Sequence, residues 1–380
     1  MPQNYRFRYL SGVSYVAASN VQSISISVGR QQQLQQYSAS QARIEIRYAT
    51  GFASPIPEFV AGTKVIIDNA TSGLDMWVGR INNVSVQYGI PYSGGVGNAD
   101  RLTITCEGAF APLGRMQGDG YALSAGTLAT QLSTASTESG VALSVAGSSN
   151  PSLSAYTVNG TWADWVQLAA LTTNARIIDG IGFDQVTLWS PNYVYTSAIN
   201  FSDTANNATN QVFDNIEFAS WADNYYTQIT VDPDALSPVT ATKVGAGEPF
   251  RTYKVNTLHS STSQATDYAN YLLGNYDNPD FALTAISCLA EAQSTFKLDS
   301  ISYQSGTVPI VNPMFAWCIG TQVNVTFRGT TFTCIIEGAT MSATPASSRY
   351  TFYVSGADLN AYLILNNAVF GKLDSNKLGY

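Results

Sequence analysis

One histidine, His259, and four cysteines, Cys106, Cys288, Cys318 and Cys334, are the side chains of this 380-residue sequence best suited to nucleophilic, acid–base or metal chemistry. A serine or cysteine nucleophile needs a histidine or similar base beside it. His259 stands in a Ser-rich stretch ahead of a helical pattern and reads as a solvated or hydrogen-bonded loop side chain. A zinc site needs three or four ligands at close spacing, and there is no Cys-x-x-Cys pair and no second histidine. The cysteines read as buried free thiols. Cys318 and Cys334 flank one hairpin and could bridge, but a reducing compartment disfavours that bond. Glycoside hydrolysis needs two facing carboxylates; Asp232-Pro233-Asp234, the nearest acidic group, reads as a turn. Glu107 and Glu337 each precede a glycine and read as equivalent strand ends. The glycine-rich run Tyr92–Asn98 has no Lys-Ser/Thr after it and no following helix, so it reads as a hairpin loop and not a phosphate cradle. Trp162 and Trp165 could grip a sugar, although packing is the better account of the pair. The expectation is a chain with no catalytic, cofactor-binding or metal-binding residues, and not an enzyme.

The elements that carry these residues contain a repeat. Gly62-Thr63-Lys64-Val65-Ile66-Ile67, Met76–Ile81 and Arg101–Gly108 recur in order as Gly320-Thr321-Gln322-Val323-Asn324-Val325, Phe332–Glu337 and Arg349–Gly356. A Gly-Thr turn feeding alternating strands that leave at a second glycine describes a small antiparallel sheet built twice. Upstream, Ser23, Ser25 and Ser27 alternate with Ile24, Ile26 and Val28, and Arg43, Glu45 and Arg47 with Ile44, Ile46 and Tyr48. Each pattern gives one apolar sheet face.

Composition points the same way. Hydrophobic residues are 45% of the chain, but charged residues are only 12%, about half the usual share. A polar, weakly charged surface of this kind suits a permanently assembled protein. The formal charge of −8 argues against a nucleic-acid binder, which needs a basic stripe. No run of about 20 apolar residues is present to span a bilayer. The start, Met1-Pro2-Gln3-Asn4-Tyr5-Arg6, lacks an apolar signal core, so synthesis and residence in the cytoplasm of the producing cell are expected.

Between the two copies the pattern changes. Leu128 and Leu132 recur at helical spacing after Thr127, and Ala146–Ser154 reads as a small-residue linker. Thr161 can cap a helix bearing Trp162, Trp165, Val166 and Ala169, with Asp164 completing the box. Strands at 175–178 and 185–189 follow. A further helix begins at Thr262 or Ser263, carries Ala265, Tyr268, Ala269 and Leu272, and stops at Asn278-Pro279. The expected organisation is mainly β with an α+β insertion: residues 1–115 and 251–380 as β domains, the second with one helix, and 116–250 as an α/β insertion.

The order of these segments resembles that of bacteriophage minor tail and baseplate hub proteins. Val28-Gly29-Arg30 with Leu34 and Tyr37, the Gly-Thr-x-Val strand and Trp77–Ile81 look like the first domain of that family. The helix from Gln264 to Leu273, Gly320–Val323 and Glu337-Gly338 look like its last domain, and Phe370–Asp374 resembles its closing segment. The resemblance implies two tail-tube-like antiparallel β-barrel or sandwich domains and no cofactor. It also implies a structural virion protein at the tail tip, forming a ring that continues the tube, holds tip or fibre proteins and lets DNA pass. The acidic balance is expected to suit such a channel. Two β domains per chain and a tube of sixfold rings lead to an expected homotrimer, bound to the tail tube or a distal tail ring and not inserted in a membrane. A distal tail protein in a hexameric ring, or a carbohydrate-binding module, is the alternative.

Overall fold

The computed structural model describes residues 5–32, 34–48, 59–70, 75–89, 100–147, 150–179, 182–190, 195–197, 200–204, 210–219, 225–243, 245, 251–276, 282–290, 303–305, 308–310 and 319–356. The Tyr92–Asn98 loop, Cys318, the Asn278-Pro279 stop and the Phe370–Asp374 segment lie outside the described residues.

Seven strands come first: β1 (Tyr5–Ser11), β2 (Ser14–Ala17), β3 (Val21–Gly29), β4 (Gln41–Tyr48), β5 (Lys64–Asn69), β6 (Asp75–Gln87) and β7 (Asp100–Glu107). The middle holds α1 (Phe110–Leu113), β8 (Ala122–Leu123), β9 (Gly126–Thr127), α2 (Leu128–Ser139), β10 (Ala142–Ala146), β11 (Ser152–Leu153) and β12 (Tyr156–Thr157). It continues with α3 (Trp162–Thr172), β13 (Arg176–Ile178) and β14 (Gln185–Trp189). Then come β15 (Tyr195–Ser197), β16 (Asn200–Ser202), β17 (Asn210–Val212), β18 (Asn215–Ala219), β19 (Gln228–Pro233), β20 (Val239–Thr242), β21 (Thr252–Thr257) and α4 (Thr262–Tyr276). The last described strands are β22 (Ala282–Ala290), β23 (Tyr303–Ser305), β24 (Val308–Ile310), β25 (Thr321–Phe327), β26 (Thr330–Ala343) and β27 (Ser348–Gly356).

The two repeated units share one register. β5 pairs with the first half of β6, Lys64 opposite Arg80, while β7 pairs with its second half, Val84 opposite Ile104. Likewise β25 pairs with the first half of β26, Gln322 opposite Ile335, and β27 with its second half, Ala339 opposite Phe352. The opening glycines sit at φ +90° (Gly62) and +88° (Gly320), a left-handed conformation that costs other residues strain. Gly62 N–H donates to the Ile81 carbonyl at 2.8 Å, and Gly320 N–H to the Ile336 carbonyl at 2.7 Å. Directly after these carbonyls both long strands bulge, between Ile81 and Asn83 and between Ile336 and Gly338. A bulge kinks a strand and raises its twist, so each long strand turns from one partner to the next at the same step.

Outward from β7 lie β4 and then β3; outward from β27 lie β22 and then β18. β3 also pairs with β26, Val28 opposite Ala339 and Ile26 opposite Met341. The two units are therefore sewn into a single large mixed sheet. Among the described residues no strand order closes into a barrel. β15 and β16 join the second unit through parallel pairing with β25.

Period-two alternation sets which face is buried. Ile24, Ile26, Ile44, Ile46, Leu102 and Ile104 are all buried, and the Ser, Arg and Thr residues between them face out. Below the sheet lie α2, α3 and the three-stranded β10-β14-β13 sheet, in a core continuous with both β units. Thr161 and Asp164 form the expected capping box on α3, and Thr127 caps α2. Trp162 (3% exposed) and Trp165 (1%) pack edge to face inside that core, which removes them as a sugar platform. A second small core packs α4 on the β20-β19-β21 sheet. Asp232 and Pro233 belong to β19 and not to a turn; pairing with Asn256 and Thr257 of β21 extends the strand, and the chain turns only at Asp234. No helix among the described residues is long and apolar enough to cross a membrane.

Candidate assembly interface

Three parts of the chain meet at one buried carboxylate. Glu337 is the bulged residue of β26 and is fully buried. Arg30, the residue after β3, donates to Glu337 Oε2 from Nε (3.0 Å) and Nη2 (2.9 Å). Arg176 of β13 donates to Oε1 from Nη2 at 3.2 Å, and the Ser355 hydroxyl of β27 donates to the same oxygen at 2.8 Å. Both arginine side chains are nearly buried, at 8% and 4% exposure. Burial alone would push the Glu337 carboxyl up. The guanidinium groups of Arg176 and Arg30 and the Ser355 hydroxyl outweigh it and hold the group at about 2. Burial likewise acts to lower Arg30, and Tyr37 and Glu337 reverse it, leaving the guanidinium above its ordinary value. The site is thus one anion between two cations, in a low-dielectric setting where each group relies on the others.

The backbone around the cluster is as tight as the charges. Arg30 N–H donates to the Glu337 carbonyl at 3.1 Å. A Cβ on Gly29 would sit 2.4 Å from that carbonyl oxygen, and one on Gly338 would sit 2.4 Å from the Arg30 carbonyl. Glycine is required at both because two backbones cross there. Arg30 also stacks on the Tyr37 ring, 4.4 Å from its centroid. The Tyr37 backbone exchanges two hydrogen bonds with the Gln167 amide of α3 (3.0 and 2.9 Å). Leu34 packs on the second core. Gly29, Arg30, Leu34 and Tyr37, the opening motif of the sequence reading, therefore fasten the first β unit to the second and to the insertion.

A second clasp holds the first unit to the insertion. Asp179 accepts from Ser40 N–H (2.9 Å) and from the Ser40 hydroxyl (3.1 Å), which in turn accepts from Trp77 Nε1 (3.0 Å). Arg80 grips Asp184 through Nη2 and both carboxylate oxygens at 2.8 Å. The Tyr5 and Tyr350 hydroxyls, one from each unit, bond each other.

Glu107 and Glu337 are not equivalent. Glu107 lies opposite Arg80 at the end of β7 and matches Ser355, while Glu337 matches Asn82. Glu107 pairs instead with the exposed Arg115. His259 is buried rather than solvated: its Nδ1 lies 2.9 Å from the Thr257 hydroxyl and its ring 5.3 Å from that of Tyr268. Burial pushes it down to about 4, against a smaller opposing effect of Thr172. Cys106 and Cys288 are buried thiols, pushed up by burial, and Cys334 is buried as well. Among the described residues no three His, Cys, Asp or Glu side chains are grouped to hold a metal. The open face of the large sheet carries Ser25, Ser27, Gln41, Thr105, Thr340 and Thr351 around a shallow groove. Arg43, Arg47, Arg101 and Arg349 share this face with Glu45, Glu107 and Glu217, and Asp214 pairs with Arg349 at 2.7 Å.

Two β units of one register, clasped by buried charges over α2, α3 and a three-stranded sheet, define the fold class. No protein-family model matches the chain, and no curated protein sequence does. Solved structures do. A 43 kDa tail protein of prophage MuSo2 from Shewanella oneidensis matches with a TM-score of 0.64 and 12% identity, over 93% of this chain and 98% of that one. A tail protein from Neisseria meningitidis MC58 matches at 0.62 and 10% identity, over 93% and 97%. A prophage tail protein from Listeria monocytogenes EGD-e matches at 0.51 and 9% identity, over 93% and 95%. Over 93% of its length the chain has the fold of these phage tail proteins.

Proposed function

We propose that this chain is a structural protein of a phage tail, a hub at its distal end that forms a ring continuing the tube and anchors tip or fibre proteins. The observation that carries this reading is the seam. Two β units of one register are joined edge to edge within a chain, so each chain already holds two neighbouring segments of a ring wall. Three such chains present six like segments, which matches a tube of sixfold rings. The whole-chain likeness to prophage tail proteins supports the same role. The Ser/Thr/Gln-rich open face, whose arginines are answered by carboxylates, suits a wall past which DNA slides without being held. In this reading the protein works in the virion, and its neighbours are the tail tube or a distal tail ring on one side and tip proteins on the other. A reconstruction of the assembled tail tip tests it. Three copies per ring, with both β units facing one channel, are expected. Six copies would replace the hub with a distal tail ring, and absence of the chain from purified tails would overturn the proposal.

A further inference from the structure

Two strand edges stand open among the described residues, and the duplication makes them a matched pair. Past Ile81, β6 has β7 on one side and, among the described residues, no strand on the other. The same stretch of β26, Gly338–Ala343, is filled by β3. The counterpart of β3 in the second unit is β18, which has β22 on one side and no strand on the other. Among the described residues the chain thus fills one slot with its own β3, while both the equivalent slot and the equivalent strand have no partner.

Burial follows the pairing. Under β3, Ala339 and Met341 are 0% and 1% exposed. Their counterparts Val84 and Val86 are only half-buried, and so are Ile216 and Phe218 of β18. The β6 edge from Asn82 to Tyr88 also lacks the charges and prolines that usually guard a free edge. We infer that β18 of one copy pairs antiparallel with β6 of the next, in the register that β3 shows on β26. Ser342 opposite Ser25 and Met341 opposite Ile26 translate to Gln87 opposite Glu217 and Val86 opposite Phe218. Ser85 then faces Ala219. The apolar pair closes the core, and the Gln87 amide meets the Glu217 carboxylate with no like charges opposed. This contact is head to tail, the kind that makes closed rings when its rotation closes, and it rests on the ring reading above.

Cysteines at Ser85 and Ala219 test the register. S85C or A219C alone should form no inter-chain disulfide on mild oxidation, their mixture should give two-chain products only, and the S85C/A219C chain should give mainly a closed three-chain species. A shifted pair, Ser85→Cys with Glu217→Cys, should cross-link far less. Circular dichroism confirms folding of each variant, and light scattering of the unoxidised chain gives the assembly state. Assembly without the 85–219 link, or with the shifted pair linking better, overturns the edge pairing while leaving the ring standing. A chain that is monomeric at every concentration and unlinked overturns both. Linked assemblies of another copy number support the edge pairing and overturn the three-copy ring.

Discussion

Replacing Glu337 with Gln keeps the shape of the seam and removes its only anion. Arg30 and Arg176 are then two cations facing each other at 8% and 4% side-chain exposure. The carboxyl is held at about 2 against an ordinary 4.5. At roughly 1.4 kcal/mol per tenfold change in acidity, its ionised form stabilises the fold by about 3 kcal/mol. Breaking a buried pair by removing one partner costs about 3–5 kcal/mol, so the two routes agree. Urea unfolding at pH 7 should therefore show a loss of about 3–5 kcal/mol in E337Q. The sign with pH follows from a depressed carboxyl. Its contribution is complete above about 4.5 and disappears as pH falls towards 2. The natural chain should lose stability across that window and E337Q should lack that increment. An E337Q chain within about 1 kcal/mol of the natural one, with an unchanged acid profile, would refute the argument. Exchanging all three charges for apolar residues should restore much of the loss.

Alanine at Gly62 meets no atom within 4 Å and pays only for φ +90°, about 1–2 kcal/mol. Alanine at Gly320 shares the strain and also crowds Arg176 Cδ at 3.3 Å and Trp189 Cε3 at 3.4 Å, so G320A should melt below G62A. Gly338→Ala should open the seam, read as lost amide exchange protection at Ile26 and Val28 of β3, whose N–H groups face β26. His259, held at about 4 against an ordinary 6.5, should make the fold less stable as pH falls from 6.5 towards 4. In H259N, urea midpoints taken across that range should lose this component of the slope.

What sequence reasoning recovered is what is local. Ile24, Ile26, Ile44 and Ile46 alternate with polar neighbours, and that alone places them under one sheet face. Gly62 and Gly320 stand out because the turn needs positive φ. Thr161 and Asp164 act within one helical turn. What it missed depends on pairing at a distance. Aligning Glu107 with Glu337 by their following glycines ignored the bulge, which inserts Asn82 in one copy and Glu337 in the other. The roles of Arg30 and Arg176 had one faint signal: each follows or opens a strand in a chain poor in charge, where a buried cation must be answered. Asp232-Pro233 read as a turn by residue type, but parallel pairing with β21 holds it extended. His259 lies in a polar stretch, yet β21, α4 and the strand at Leu153 enclose it.

The seam also sets the order in which the protein matures. Arg30 and Glu337 are 307 residues apart, and a ribosome adding about 5–20 residues per second needs roughly 15–60 s to make that span. Throughout that interval the outer edge of β3, apolar on one face, waits without β26, open to chaperones or to another chain's β26. A chain that met its neighbour's strand first would swap rather than close. Correct folding then depends on the last strands of each chain finding its own beginning before another chain does.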